Sequence, residues 1–192
     1  MPGSIKIDDG SGNYTILTNA GSLGSDKTIT IPNETATLAT TNGITEADQW
    51  RLTANITSDT DITSNLARPN GTAESYFGTG MTESSGIFTF PSSGYWLVTF
   101  TATSTAVNDS YNQFSIHTSS NSGTDYDEIT ETYNGSGSGT AGGTSTISVL
   151  LDITDASTHR VKFRVASLSG STVRGDANEN STNMTFLRLG DT

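Results

Sequence analysis

The chain holds two histidines, His117 and His159, and no cysteine among its 192 residues. A zinc site would need carboxylates beside them, and no HExxH pattern supplies the spacing. Thiolate chemistry and a disulfide framework are both excluded. The two histidines therefore read as surface or interface groups. Gly137-Ser-Gly139-Thr-Ala-Gly142 has the spacing of a dinucleotide-binding glycine loop, but β-branched residues follow it from Thr144 to Val149. That motif needs a helix N-terminus behind it to hold a pyrophosphate, so this run reads as a loop.

Two acidic runs remain. Asp59-Thr-Asp61 and Asp125-Tyr-Asp127-Glu128 offer hard oxygen ligands of the kind calcium takes. Asp125 and Asp127 share a face if their segment is a strand, and Asp125, Asp127 and Glu128 are the calcium candidates. Neither run has the glycine and bidentate glutamate of an EF-hand loop, so solvated acids are the ordinary reading and no cofactor is expected. Glycoside cleavage needs two carboxylates across a groove, and no such pair stands out. The chain is therefore not expected to be an enzyme. Six of the nine basic residues are arginine. Arg51, Arg160, Arg164 and Arg188 come from three expected strands, where their planar forks suit carboxylates on the same or a neighbouring subunit.

The elements that would carry these groups follow from composition and period. There are 34 threonines and 26 serines, and a net charge of −11. The abundance of threonine, with few strong helix formers, favours strands. An acidic chain lacks the basic face that nucleic acid requires. Tyr95-Trp96-Leu97-Val98 is the longest apolar run, far below the roughly 18 residues of a membrane span. No signal-peptide pattern opens the chain. Neither nucleic acid nor membrane insertion is expected.

Residues 1 to 45 alternate in short, polar bursts: Ile5-Lys6-Ile7, Tyr14 to Leu17, Thr28 to Ile31 and Ala36 to Ala39. Strands this short cannot close a core alone, so they must pair with copies of themselves or dock on a partner. From residue 46 onward the alternation strengthens. Trp50, Leu52, Ala54 and Ile56 fall on one face; Trp96, Val98, Phe100 and Ala102 on another, with Tyr95, Leu97, Thr99 and Thr101 opposite. Further strands are expected over Gly86–Phe90, Tyr111–Thr118, Tyr126–Tyr133 (the polar one, suited to an edge), Ser145–Ile153, Thr158–Leu168 and Asn183–Leu189. The reading is all-β: a short-stranded N-terminal segment (1–45), then a sandwich or jelly roll (46–192). The core candidates include Trp50, Leu52, Trp96, Phe100, Phe163 and Phe186. Leu97, Leu187 and Leu189 lie opposite the core face, which implies burial against a neighbouring subunit.

Gly86-Ile-Phe-Thr-Phe-Pro-Ser-Ser-Gly-Tyr-Trp-Leu-Val resembles the G-x-F-x-x-P-x-x-G-x-Y segment of the complement globular head and tumour necrosis factor superfamily. The closing strand Met184-Thr-Phe-Leu-Arg-Leu is similar in placement. Asp48-Gln-Trp-Arg-Leu-Thr, Gly78-Thr-Gly-Met-Thr-Glu-Ser-Ser-Gly, Ser157-Thr-His-Arg-Val-Lys-Phe-Arg-Val and Met184 to Thr192 look like blocks of the marine, cyanophage-type bacteriophage version of this head. Asp26 to Thr41 is similar to a T-x-T-L-P-x-x-T-G-T-L-A-T segment of phage tail-fibre proteins, with Ala36 where glycine is usual. The resemblance implies a ten-stranded jelly roll in a homotrimer on a virion surface. A host-surface glycan or protein would be the outer partner, and other virion proteins would be held through residues 1–45. Read from Met1, no long anchoring domain or shaft precedes the head, so that segment is expected to do the attaching. A capsid decoration or head-fibre protein is the alternative, and a polysaccharide depolymerase a remote one.

Overall fold

The computed structural model describes residues 5–8, 11, 14–17, 43–71, 76–105, 111–135 and 142–192. The chain divides into two units, Met1–Thr40 and Thr41–Thr192. In the first, β1 (Ile5–Asp8) and β2 (Tyr14–Leu17) form an antiparallel pair running from Ile5 opposite Leu17 to Asp8 opposite Tyr14. The expected strands at Thr28–Ile31 and Ala36–Ala39 lie outside the described residues.

The second unit is all strand and loop among its described residues. Its elements are β3 (Ala47–Leu52), β4 (Thr60–Asp61), β5 (Leu66–Ala67), β6 (Thr82–Ser84), β7 (Ile87–Thr89) and β8 (Gly94–Thr105). Then follow β9 (Asn112–Ser119), β10 (Asp127–Asn134), β11 (Gly142–Ile153), β12 (Arg160–Ala166), β13 (Thr172–Val173) and β14 (Asn183–Gly190). One antiparallel sheet has the order β10-β9-β12-β7-β6, with β4 also on β12. The other has the order β11-β8-β14-β3-β5, with β13 also on β8. This is the expected sandwich with twelve strands rather than ten. β4, β5 and β13 are two-residue pairings too short to show an alternating pattern.

The two sheets close on an aromatic core. β8 alternates buried and half-exposed along its length, with Trp96, Val98, Phe100 and Ala102 inward. β12 does the same with Val161, Phe163 and Val165. Phe163 sits 5.6 Å from Phe88, 5.1 Å from Phe100 and 6.0 Å from Phe186, ring centre to ring centre. Tilted and edge-on pairs of this kind add about 1 kcal/mol each beyond the area they bury. Trp50 packs edge-on to Phe88 at 5.5 Å and is only partly buried. The strand expected over residues 47–56 stops at Leu52; Ile56 instead bridges Val173. The β6–β7 hairpin turns on Ser85 (φ 53°) and Gly86 (φ 80°), the two positive dihedrals of a tight two-residue turn. A Cβ at Gly86 would stand 1.9 Å from the Ile62 carbonyl oxygen, so only glycine fits there.

Register defines two ends. Ala47, Gly94, Ile153 and Gly190 lie at the end where the chain enters and leaves this unit. Leu52, Thr105, Asn112, Asn134 and Gly142 lie at the other, with Asn112 Nδ2 donating to Ser104 Oγ between the sheets.

Candidate functional site

The outward face of the β11-β8-β14-β3 sheet is divided in two. Near the chain-entry end, Leu150 pairs with Leu97, Leu97 with Leu187 and Leu187 with Ala47, while Ala47 bridges Phe77. In antiparallel pairing, residues directly opposite share a face, so these five form one apolar row across the sheet. Leu150 and Phe77 are each 58% exposed; Leu97 and Leu187 are half-buried by their neighbours. Tyr95 extends the row on β8, and Leu189, 54% exposed, sits in a bulge of β14 between Arg188 and Gly190. Toward the far end the same face turns to hydroxyls. Thr99 and Ser148 are 2.8 Å apart, Thr101 and Thr146 3.0 Å, Thr103 and Thr144 2.9 Å. The Thr-x-Thr pattern of both strands therefore zips β8 to β11 through side chains as well as backbone.

Phe77 is held in the row by a clamp. Ala47 and Phe77 exchange both backbone hydrogen bonds. Glu46 Oε2 accepts from the Thr79 and Gly80 amides at 2.7 and 3.1 Å. Asp48, only 3% exposed, accepts from Trp50 Nε1, the Met81 amide, and Arg68 Nε and Nη2. The Arg68 guanidinium lies 4.6 Å over Trp50 and 4.5 Å over Tyr76. The hydrogen-bonded Asp48 carboxylate raises the Arg68 pKa above its ordinary value, against the opposing effect of burial. A buried carboxylate is tolerated only when paired and hydrogen-bonded, and this one is. A Cβ at Gly80 (φ 75°) would stand 2.9 Å from Arg68 Nη2 and 3.0 Å from Asp48 Oδ2, so glycine suits this position. Sequence reasoning did not single out Asp48 with Arg68, since twenty residues separate them and no periodic signal links them.

The outward face of the other sheet is charged. Lys162 Nζ and Arg164 Nη1 both bond Asp61, at 2.8 and 3.2 Å. Burial opposes the charge on Asp61, yet its bonds to Lys162 and Arg164 hold its pKa below the usual value. Lys162 also lies 4.3 Å over the Tyr126 ring. His117 Nε2 contacts Ser115 Oγ at 2.9 Å and Glu128 Oε2 at 3.3 Å. A serine–histidine–carboxylate relay needs the two partners on opposite ring nitrogens. Here both meet the same one, and Ser115 is buried. Burial lowers the His117 pKa, despite the Glu128 charge that raises it. His159 Nδ1 faces the Asp155 carbonyl at 2.8 Å.

The remaining sequence candidates lie apart. Asp125 precedes β10 and accepts from Asn121 Nδ2. Asp127 opposite Thr118 and Glu128 opposite His117 are in β10, so Asp125 is not on a strand face with Asp127. Among the described residues no three His, Asp or Glu side chains gather to hold a metal. Asp59 accepts from the Leu168 amide. Arg51 is buried and donates to Asn70. Arg160 donates to the carbonyls of Ala156, Ser157 and His159, and Arg188 to the Ser93 carbonyl, Thr45 and Asp191. Of these four arginines, Arg164 and Arg188 meet acids within their own chain. A cavity of about 210 Å³ between Ser119, Asp127, Asp152 and His159 opens at the chain-entry end, walled on one side by Arg160. In the glycine run, Gly142 opens β11, so a strand and not a helix follows.

The sequence matches no family model and no curated protein. Solved structures do match the fold. Eiger TNF from S. frugiperda aligns with a TM-score of 0.58 at 11% identity, over 79% of this chain and 96% of its own. Murine APRIL at pH 5.0 aligns with 0.57 at 8% identity, over 75% and 98%. PRD1 vertex protein P5 aligns with 0.50 at 18% identity, over 78% and 100%. At such identities the likeness is one of architecture, and the chain carries a TNF-like jelly roll.

Proposed function

We propose that this chain is a trimeric structural protein of a bacteriophage virion, whose jelly-roll head is displayed for contact with the host surface. The apolar row Leu150–Leu97–Leu187–Ala47–Phe77 is the observation that carries the assembly. A monomer with this charge and so much exposed hydroxyl has no use for an apolar stripe spanning five chain segments in water. A complementary surface is at hand. Ile147, Val149 and Leu151, on the inner side of edge strand β11, remain only partly buried. A stripe on a face and an unsealed edge are different patches, so copies joined face to edge form a ring, and three-fold closure is the one the resemblance implies.

The virion role rests on the phage-type sequence blocks and on the fold shared with a phage vertex protein. Anchoring falls to residues 1–45, as attachment or trimerisation segment. Within the head, the loops over 53–59 and 174–182 lie at the end opposite chain entry. The vertex-protein likeness also favours a second reading, a capsid decoration or head fibre held to the shell by the same segment. Light scattering of the full chain tests assembly: three copies of 20.1 kDa give about 60 kDa. A particle of 20 kDa at micromolar concentration overturns it. Cryo-EM of particles carrying the protein separates tail from capsid. Purified protein added in excess should slow adsorption of those particles to their host, and unchanged adsorption removes the attachment role.

A further inference from the structure

The hairpin β9–β10 carries an exposed aromatic pair that neither the core nor the apolar row absorbs. Tyr111 and Tyr133 are 45% and 50% exposed and meet edge-on, with ring centres 5.2 Å apart and planes at 82°. Tyr133 stands opposite Gln113, and Glu131 opposite Ser115. Gln113 Nε2 donates to Glu131, whose carboxylate also takes the Tyr133 hydroxyl. That bond pushes the phenol up to about 12, so it stays a donor at any physiological pH. Arg164, on the next strand, stands opposite Ser115 and is partly exposed. The result is a pair of exposed rings set at right angles and edged by an amide, a carboxylate and phenols, with the Arg164 guanidinium one strand away on the same face.

We infer that this face, at the far end of the β9–β10 hairpin, is a saccharide-binding site for a neutral hexopyranose unit of a surface glycan. A pyranose has an apolar C–H face and a rim of hydroxyls that both donate and accept. The tyrosine faces match the first, and Gln113, Glu131 and Arg164 match the second. Tyrosine suits such recognition because it brings area and a hydroxyl at small entropic cost. An anionic polymer is disfavoured by Glu131 and Glu128 on the same face and by the −11 charge of the chain. An apolar helix would need a broader groove than two rings provide. The face lies on the opposite sheet from the apolar row, and in a trimer three weak single sites would add through multivalency. The biological role of the site rests on the attachment reading; its chemistry does not.

The test uses the full chain and a panel of methyl α- and β-pyranosides of glucose, galactose, mannose and N-acetylglucosamine, read by saturation-transfer NMR. At least one should bind with transfer from tyrosine ring protons. The variant Tyr111→Ala/Tyr133→Ala, checked for unchanged melting, should weaken it about tenfold or more. Tyr133→Phe, which keeps the ring, should retain most of the binding. No binding by any glycoside, or equal binding by the double-alanine variant, overturns the inference. Adsorption competition separates the two claims. If the double-alanine variant competes as well as the parent, the saccharide site falls and attachment stands. If sugar binds but neither protein competes, attachment falls and the site stands.

Discussion

The two sheets of the head turn opposite kinds of surface to solvent. The β11-β8-β14-β3 sheet shows leucines, one phenylalanine and threonine ladders, and Arg51 beside them is buried on Asn70. The β10-β9-β12 sheet shows Glu128, Glu131, Lys162, Arg164 and His117, with Asp61 bridging two of the cations. Their inward faces are alike, largely aliphatic and aromatic, with buried Asp48, Ser104 and Asn112 hydrogen-bonded among them. The difference teaches that core requirements do not decide the outside. A side chain every second residue is free of the core, and what it becomes reflects what that face meets.

The strongest way to break this comparison is to charge the apolar face. Leu97→Glu should reduce a 60 kDa assembly to single chains of 20.1 kDa by light scattering, because each interface would bury an unpaired carboxylate against the neighbour's apolar β11 edge. The equivalent exposed change on the other sheet, Glu131→Lys, should leave the mass alone. If both variants stay assembled, the apolar row is not the interface.

Next comes the clamp that positions Phe77. Arg68→Met leaves the Asp48 carboxylate buried without its cation and should cost about 2–3 kcal/mol in denaturant unfolding. Replacing both, Asp48→Asn with Arg68→Met, should recover part of the loss. A single variant as stable as the parent would show that water, not Arg68, satisfies the carboxylate.

Acidification acts mainly on the charged sheet and is expected to be smaller. The His117 pKa is lowered by burial, so unfolding releases a group that binds protons more readily, and stability falls as pH drops below about 6.5. The Asp61 pKa is lowered by its cations, so its contribution is present above the unfolded carboxylate value of about 3.9 and is lost as pH falls through the folded value. Both act in one direction. The melting temperature should decline from neutral pH and drop further below pH 4. His117→Gln should remove the first step and Asp61→Asn the second; identical pH profiles would discount both groups.

The smallest expected effect is that of calcium. Since Asp125 is held by Asn121 and Glu128 by His117, and no three carboxylates gather among the described residues, calorimetry in EDTA and then in calcium should give superimposable melting curves. A rise of several degrees on adding calcium would mean that the segment reorganises around the ion.

Much of the fold was legible along the chain because its strands alternate strongly. The inward set Trp96, Val98, Phe100 and Ala102 follows from period alone, and so does the outward position of Leu97. Leu150 was equally readable as the outward residue between Val149 and Leu151, but a single exposed leucine says nothing by itself. The aromatic pair was less readable. Tyr111 precedes its strand and Tyr133 lies twenty-two positions on, so only hairpin pairing brings them together. The acidic run at Asp125–Glu128 was misleading, because the bend before β10 takes Asp125 off the strand.

The sequence by itself determined the class of the protein: strands rather than helices, an acidic hydroxyl-rich exterior, and which side chains of each strand face a core. These depend on neighbours one and two residues away, where backbone geometry imposes a fixed period. Tertiary structure alone decided which strands lie side by side. It joined Leu150, Leu97, Leu187, Ala47 and Phe77 into one row and set Arg68 on Asp48. Register between distant strands is settled by packing the whole core at once, so surfaces built across strands exist only in the folded chain.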